Sequence, residues 1–212
     1  MQNNSASLNF LPELNLWEAR APALVQALLQ DPRLGVRPPD QPVPAHLRGR
    51  LLGDAFGNWL RMRDDPDQAR AKAALVEALA ALPSAVVQAQ ARLQAQLAFA
   101  AGWNHGIWAS SVCSMAALLG LAPADMAAQQ ARLARMQALA RGLAVTATPA
   151  QIDAADAACV TLTQALTGSS DLALLWQSYQ AGAALLGQGL IALATEPARR
   201  QAGSVAAWLP EL

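Results

Sequence analysis

The chain has 212 residues, 54% of them hydrophobic and 14% charged, and its fifteen basic residues balance fifteen acidic ones to a formal charge of zero. That length fills one sizeable core, and an apolar content dominated by alanine and leucine favours helices over strands. Neutrality excludes a global field that would draw the protein to nucleic acid or to an anionic membrane, so its partners must be chosen locally.

These bounds predict an all-α, single-domain helical bundle over 1–212, with about seven helices. Residues 1–9 are polar and lack the basic start and apolar run of a secretory signal, so a cytoplasmic location is expected. Lys72 is the single lysine, a bias expected of a GC-rich bacterial genome and given no mechanistic weight.

Short helical stretches are predicted over 11–20 and 22–30, the second opening on Pro22 and stopped by Asp31-Pro32. The proline-rich run 31–44 rules out a regular element and reads as a structured loop. Over 45–63, Leu47, Leu51, Leu52, Phe56, Trp59 and Leu60 recur at helical spacing and form one apolar face. His46, Arg50, Asp54 and Arg61 make its polar stripe, with Arg50 and Asp54 spaced for a one-turn ion pair.

Asp65 and Pro66 are a cap and first residue for a helix reaching Leu82, buried through Leu75, Val76, Leu79 and Leu82 and stopped by Pro83. The pattern from Ser84 continues to Leu121 without an internal proline, predicting one long helix over 84–121 that is free of Asp, Glu, Lys and Arg from Leu93 onward. Pro123 opens a helix to Arg141, closed by Gly142, with Gln129, Arg132 and Arg135 on its exposed side. Thr148-Pro149 caps the next helix, to Thr167 and Gly168. Asp171 opens a last long helix over 171–195, uncharged from Leu172 to Thr195, and the tail 196–212 has enough apolar area in Val205, Trp208 and Leu209 to dock back.

The two uncharged segments each exceed the roughly 20 residues that cross a bilayer. Asn104, His105, Ser110, Ser111 and Ser114 in the first, and Gln177, Ser178, Tyr179, Gln180 and Gln188 in the second, would each need a partner in lipid, so a water-soluble bundle with no transmembrane segment is expected. Ala98, Gly102, Gly106, Ser110 and Ser114 recur every four residues and form a ridge almost without side chains. Ser178, Gly182, Ala183 and Gly187 match it, predicting a seam between the two segments. Glycine in a helix interior costs about 1 kcal/mol relative to alanine, so these positions either allow close backbone contact or mark a kink.

Trp103, Asn104, His105 and Trp108 form the densest cluster of functional side chains, and with Trp176, Tyr179 and Gln180 they are the candidate ligand-binding residues. His105 is the candidate acid, base or ligand if the protein is an enzyme; a core histidine bonded to Gln177, Tyr179 or Gln180 is the alternative. Cys113 lies eight residues beyond His105, about 12 Å along one helix, too far for a nucleophile and base pair. Cys113 and Cys159 give no metal spacing and read as buried free thiols. No Glu-x-x-His motif, phosphate loop, dinucleotide fingerprint, zinc quartet or nucleophile elbow occurs, no metal site is predicted, and no cofactor follows.

The leading expectation is a non-catalytic accessory or adaptor protein that binds a protein partner, or a second copy, through an apolar helical surface. A pocket between the uncharged helices, centred on His105 and taking a small aromatic or lipophilic ligand, is the alternative. Association with a lipid or granule surface is the third.

Overall fold

The computed structural model describes residues 8–38, 40–121, 125–166, 168 and 170–195. The expectations for the tail 196–212, for Pro123 and for Thr167 lie outside these residues. Contacts divide the chain into two compact units, Met1–Pro42 and Val43–Leu212.

The first unit opens with a hairpin where a helix over 11–20 was expected. Strands β1 (Leu8–Leu11) and β2 (Leu16–Ala19) pair antiparallel with Phe10 opposite Trp17, their rings 5.1 Å apart. The cause is in the turn. The amides of Leu14 and Asn15 donate back to the carbonyls of Leu11 and Pro12 at 3.2 and 3.3 Å, and Asn15 takes a φ of 50°, a left-handed conformation that asparagine enters more readily than most residues. Helix α1 (Pro22–Gln30) begins at its proline as predicted. The loop after it holds its own bonds: the Arg33 guanidinium pairs with Asp31, and Arg37 Nε donates to the Gln41 carbonyl at 2.9 Å.

The second unit is the helical bundle. Its first segment is broken, not continuous over 45–63: a 3-10 turn (Ala45–Leu47) precedes α2 (Leu51–Asn58), and a second 3-10 turn (Leu60–Met62) follows. Gly49, at φ 72°, makes the first break. Arg50 then has extended backbone as the N-cap of α2, so it is out of helical register with Asp54 and the predicted pair does not form. Arg50 reaches instead to Asp153 and Asp156 of α7 (Pro149–Ala165), at 2.8 and 3.5 Å.

Helix α3 (Pro66–Ala80) starts as predicted, with Asp65 accepting from the Asp67 amide. Its apolar stripe is not buried: Leu75, Leu79 and Leu82 are half-exposed and Val76 is exposed. The expected rod over 84–121 is two helices, α4 (Ser84–Ala100) and α5 (Trp103–Leu118), packed against each other. Gly102 turns the chain with a φ of 106°, which a side-chain-bearing residue rarely adopts, and α5 restarts from it. Helix α6 (Met126–Leu143) is capped by Asp125, whose side chain accepts from Ala128 N at 2.8 Å.

Gln129 and Arg132 face the core, not solvent as predicted. Gln129 is 0% exposed and its Nε2 donates to Gln94 Oε1 of α4 at 2.7 Å, while Arg132 is 8% exposed and its Nη2 donates to the Leu121 carbonyl at 3.0 Å. Arg135 is half-buried. These long polar side chains read as a solvated face because periodicity shows which residues share a side, not what covers it. Gly142 lies within α6 and does not close it; a Cβ there would come within 2.3 Å of the Ala155 Cβ, so this glycine sets how closely α6 and α7 approach. A reciprocal Thr148–Gln151 capping box starts α7.

The last helical run comprises α8 (Asp171–Gln177), a π turn (Ser178–Gly182) and α9 (Ala183–Thr195). It packs on α5, so the expected neighbourhood of the two uncharged segments holds for α5. The seam itself differs in detail. A Cβ on Gly182 would meet the Ser111 Cβ at 2.5 Å, one on Gly106 would meet the Phe99 ring of α4 at 2.3 Å, and Gly187 has nothing within 4 Å. The ridge thus serves two neighbours. The core is built from α5 to α8, with Leu47, Leu52 and Trp59 closing one side, and among its members are Val112, Met136, Leu139, Leu162 and Leu175.

Candidate functional site

A cleft of about 340 Å³ opens where the 3-10 turn after α2, helix α3 and helix α8 meet. Trp59, Leu60, Leu75, Ala173 and Leu174 supply its apolar wall, and Arg61, Gln68, Lys72, Ser170 and Gln177 its polar edge. Local bonds fix this geometry. Arg63 forks onto Asp65, holding that carboxyl below its ordinary range and joining the turn to the cap of α3. Gln68 Nε2 donates to the Leu60 carbonyl at 3.1 Å, and Arg61 Nη1 donates to Gln177 Oε1 at 3.3 Å, linking the turn to both helices.

Trp59 is 4% exposed and its ring stacks on Trp176 at 5.8 Å with 25° between the planes. The row continues in both directions: Phe56 lies 5.4 Å from Trp59, Tyr179 lies 6.0 Å from Trp176, and Trp108 lies 4.9 Å from Tyr179. Such aromatic pairs add about 0.5–1.5 kcal/mol each beyond their buried area, so Trp59 is a stiff wall for the cleft.

Of the seven predicted site residues, the structure gathers Trp108, Trp176 and Tyr179 into this row, and none of the seven lines the cleft. Trp103 is 68% exposed and packs edge-on against Phe99, and Asn104 and Gln180 are exposed. His105 is half-buried, with Nε2 enclosed and without a hydrogen-bond partner among the described residues. The expected bonds to Gln177, Tyr179 or Gln180 are therefore not made by that nitrogen, and Gln177 is engaged by Arg61. Sequence reasoning missed Trp59, Arg61, Lys72 and Leu75. Their prior signals are the apolar face and polar stripe over 45–63, which hold Trp59 and Arg61, and the apolar stripe on α3 beside the chain's single lysine.

Burial raises the pKa of both free thiols, more than Arg132 lowers that of Cys113 or Thr163 that of Cys159, so neither is a ready nucleophile. Among the described residues no group of His, Cys, Asp or Glu is placed to hold a metal ion. No single described helix is long and apolar enough to cross a membrane; α3 and α4 pass that test only as a pair, bent by 81°. No family model, curated protein or solved structure matches this chain.

Proposed function

We propose that the protein is a non-catalytic binding protein that holds a small, partly apolar molecule in the cleft beside Trp59. The observation that carries this reading is the cleft: about 340 Å³ walled by an immobilised indole and leucines, with a few polar groups on one edge. Ligand sites in proteins have that volume and that mixture. Among the described residues the lining includes one hydroxyl, Ser170, and neither histidine nor carboxylate to activate it, which supports binding over chemistry. The neutral dye N-phenyl-1-naphthylamine tests it: its emission should rise on addition of protein and fall back in Ala173→Phe, whose side chain fills the cleft. Equal emission with both proteins would end this reading.

An adaptor role is the second reading, in which a partner protein or a second copy docks on an apolar helical face. It is supported by Trp103 and Trp108 on α5 and Leu185 and Ile191 on α9, all exposed. Sedimentation of the wild type and of a Trp103→Ser, Trp108→Ser double variant tests self-association. Flotation with liposomes separates both readings from attachment to a lipid surface.

A further inference from the structure

The polar edge of the cleft is lopsided in charge. Arg61 and Lys72 both line it, and among the described residues no aspartate or glutamate does and no ion pair uses either cation. Among the described residues of the bundle, Arg50 reaches two aspartates and Arg63 and Arg70 each have one close by in sequence, so the cations next to the cleft in the chain are neutralised where Arg61 and Lys72 are not. The chain as a whole is neutral, so the field at this spot is made by local placement.

Two positive charges beside an apolar wall attract an anion more strongly than the same charges in open water, because the wall is poorly polarisable and focuses the field. Arg61 spends one N–H on Gln177, which steadies the guanidinium and leaves its other donors for a ligand oxygen. Lys72 adds a mobile ammonium from the adjoining helix. Below these heads lie Trp59, Leu60 and Leu174, whose side chains offer the cleft an apolar surface and suit an apolar body.

We infer that the cleft selects a small amphipathic anion, an aromatic or short aliphatic body carrying one carboxylate or sulfonate, with Arg61 and Lys72 on the charged head and Trp59 against the body. This rests on the cleft being a binding site, as proposed above, and adds the charge class of its ligand.

The test pairs two dyes that share a body and differ in charge: N-phenyl-1-naphthylamine, neutral, and 8-anilinonaphthalene-1-sulfonate, anionic. Each is titrated into the wild type, Lys72→Met, the Arg61→Gln, Lys72→Gln double variant and Ala173→Phe, with circular dichroism to verify that each variant is folded. Two exposed ion pairs together are worth about tenfold in affinity, so the double variant should bind the anionic dye about tenfold more weakly, with Lys72→Met in between and the neutral dye unchanged. Added salt should weaken only the anionic dye. If both dyes bind in a manner sensitive to Ala173→Phe but the double variant leaves the anionic dye unaffected, the charge selection is wrong and the binding site survives. Should neither dye respond to Ala173→Phe, both the site and its selectivity are overturned.

Discussion

Removing the Asp156 carboxylate should unfasten helix α2 from α7, and with it the placement of Trp59. Arg50, the N-cap of α2, offers no side-chain oxygen to the first free amides; Asp156 supplies one from another helix, its Oδ1 accepting from Leu52 N at 2.9 Å. The Asp156 side chain is 17% exposed, whereas Asp153, the other partner of Arg50, is 63% exposed. Losing a cap costs about 0.5–2 kcal/mol, and a stranded buried donor about 1–3 kcal/mol. These overlap in one amide, so Asp156→Ala should destabilise by about 2 kcal/mol. Asp156→Asn keeps an acceptor for Leu52 and should lose about 0.5–1 kcal/mol, and Asp153→Ala, an exposed pair, less than about 0.5 kcal/mol. Urea unfolding followed by circular dichroism reads all three, with the denaturant slope expected to stay constant. If Asp156→Ala is no worse than Asp153→Ala, the cross-helix cap contributes nothing and the argument fails.

Three further outcomes are expected. Gly187→Ala, in open space, should stabilise by up to about 1 kcal/mol, whereas Gly142→Ala should destabilise by about 1 kcal/mol, since overpacking against Ala155 exceeds the helix-propensity gain. Adding Ala155→Gly should restore part of the loss; thermal melts of single and double variants decide this. Gln129→Ala leaves the Gln94 side chain without its donor in the core and should cost about 1–3 kcal/mol, while replacing both glutamines with leucine should come closer to neutral in urea unfolding. Cys113, Cys159 and the Tyr179 phenol all bind their protons more tightly in the fold, because burial disfavours the charged forms. The stability they confer is therefore full below the ordinary thiol pKa and lost as pH rises through the raised folded values; urea midpoints should fall across alkaline pH, and the thiols should resist a thiol reagent at neutral pH until the chain unfolds.

Helix starts were legible because they depend on adjacent residues. Pro22, Pro66 and Pro149 each begin a helix, and Asp65 and Thr148 cap theirs, since a fixed φ or a side-chain acceptor acts over a few bonds. Breaks were harder. Between Ser84 and Leu121 the sequence has glycines at 102, 106 and 120, and a glycine inside a helical pattern reads equally well as a packing position, which Gly106 is, or as a turn, which Gly102 is. Burial of Gln129 and Arg132 was hidden because it depends on Gln94 and Leu121, 35 and 11 residues away. The cleft had no motif at all: its walls come from 59–75 and 170–177, and Arg61 and Lys72 looked like ordinary solvated cations until the fold set them together beside Trp59.

The π turn at Ser178–Gly182 holds one residue more than an α-helix needs to span the same rise. Each residue of an α-helix advances the chain by about 100°, so deleting a residue from α9 would swing every later side chain to a new face. Deleting exposed Ala181 should instead let the π turn relax to regular helix, leaving Ala183 and the rest of α9 in phase. The C-terminal helix thus contains its own slack, a site where the chain can shorten by one residue without rotating the helix beyond it.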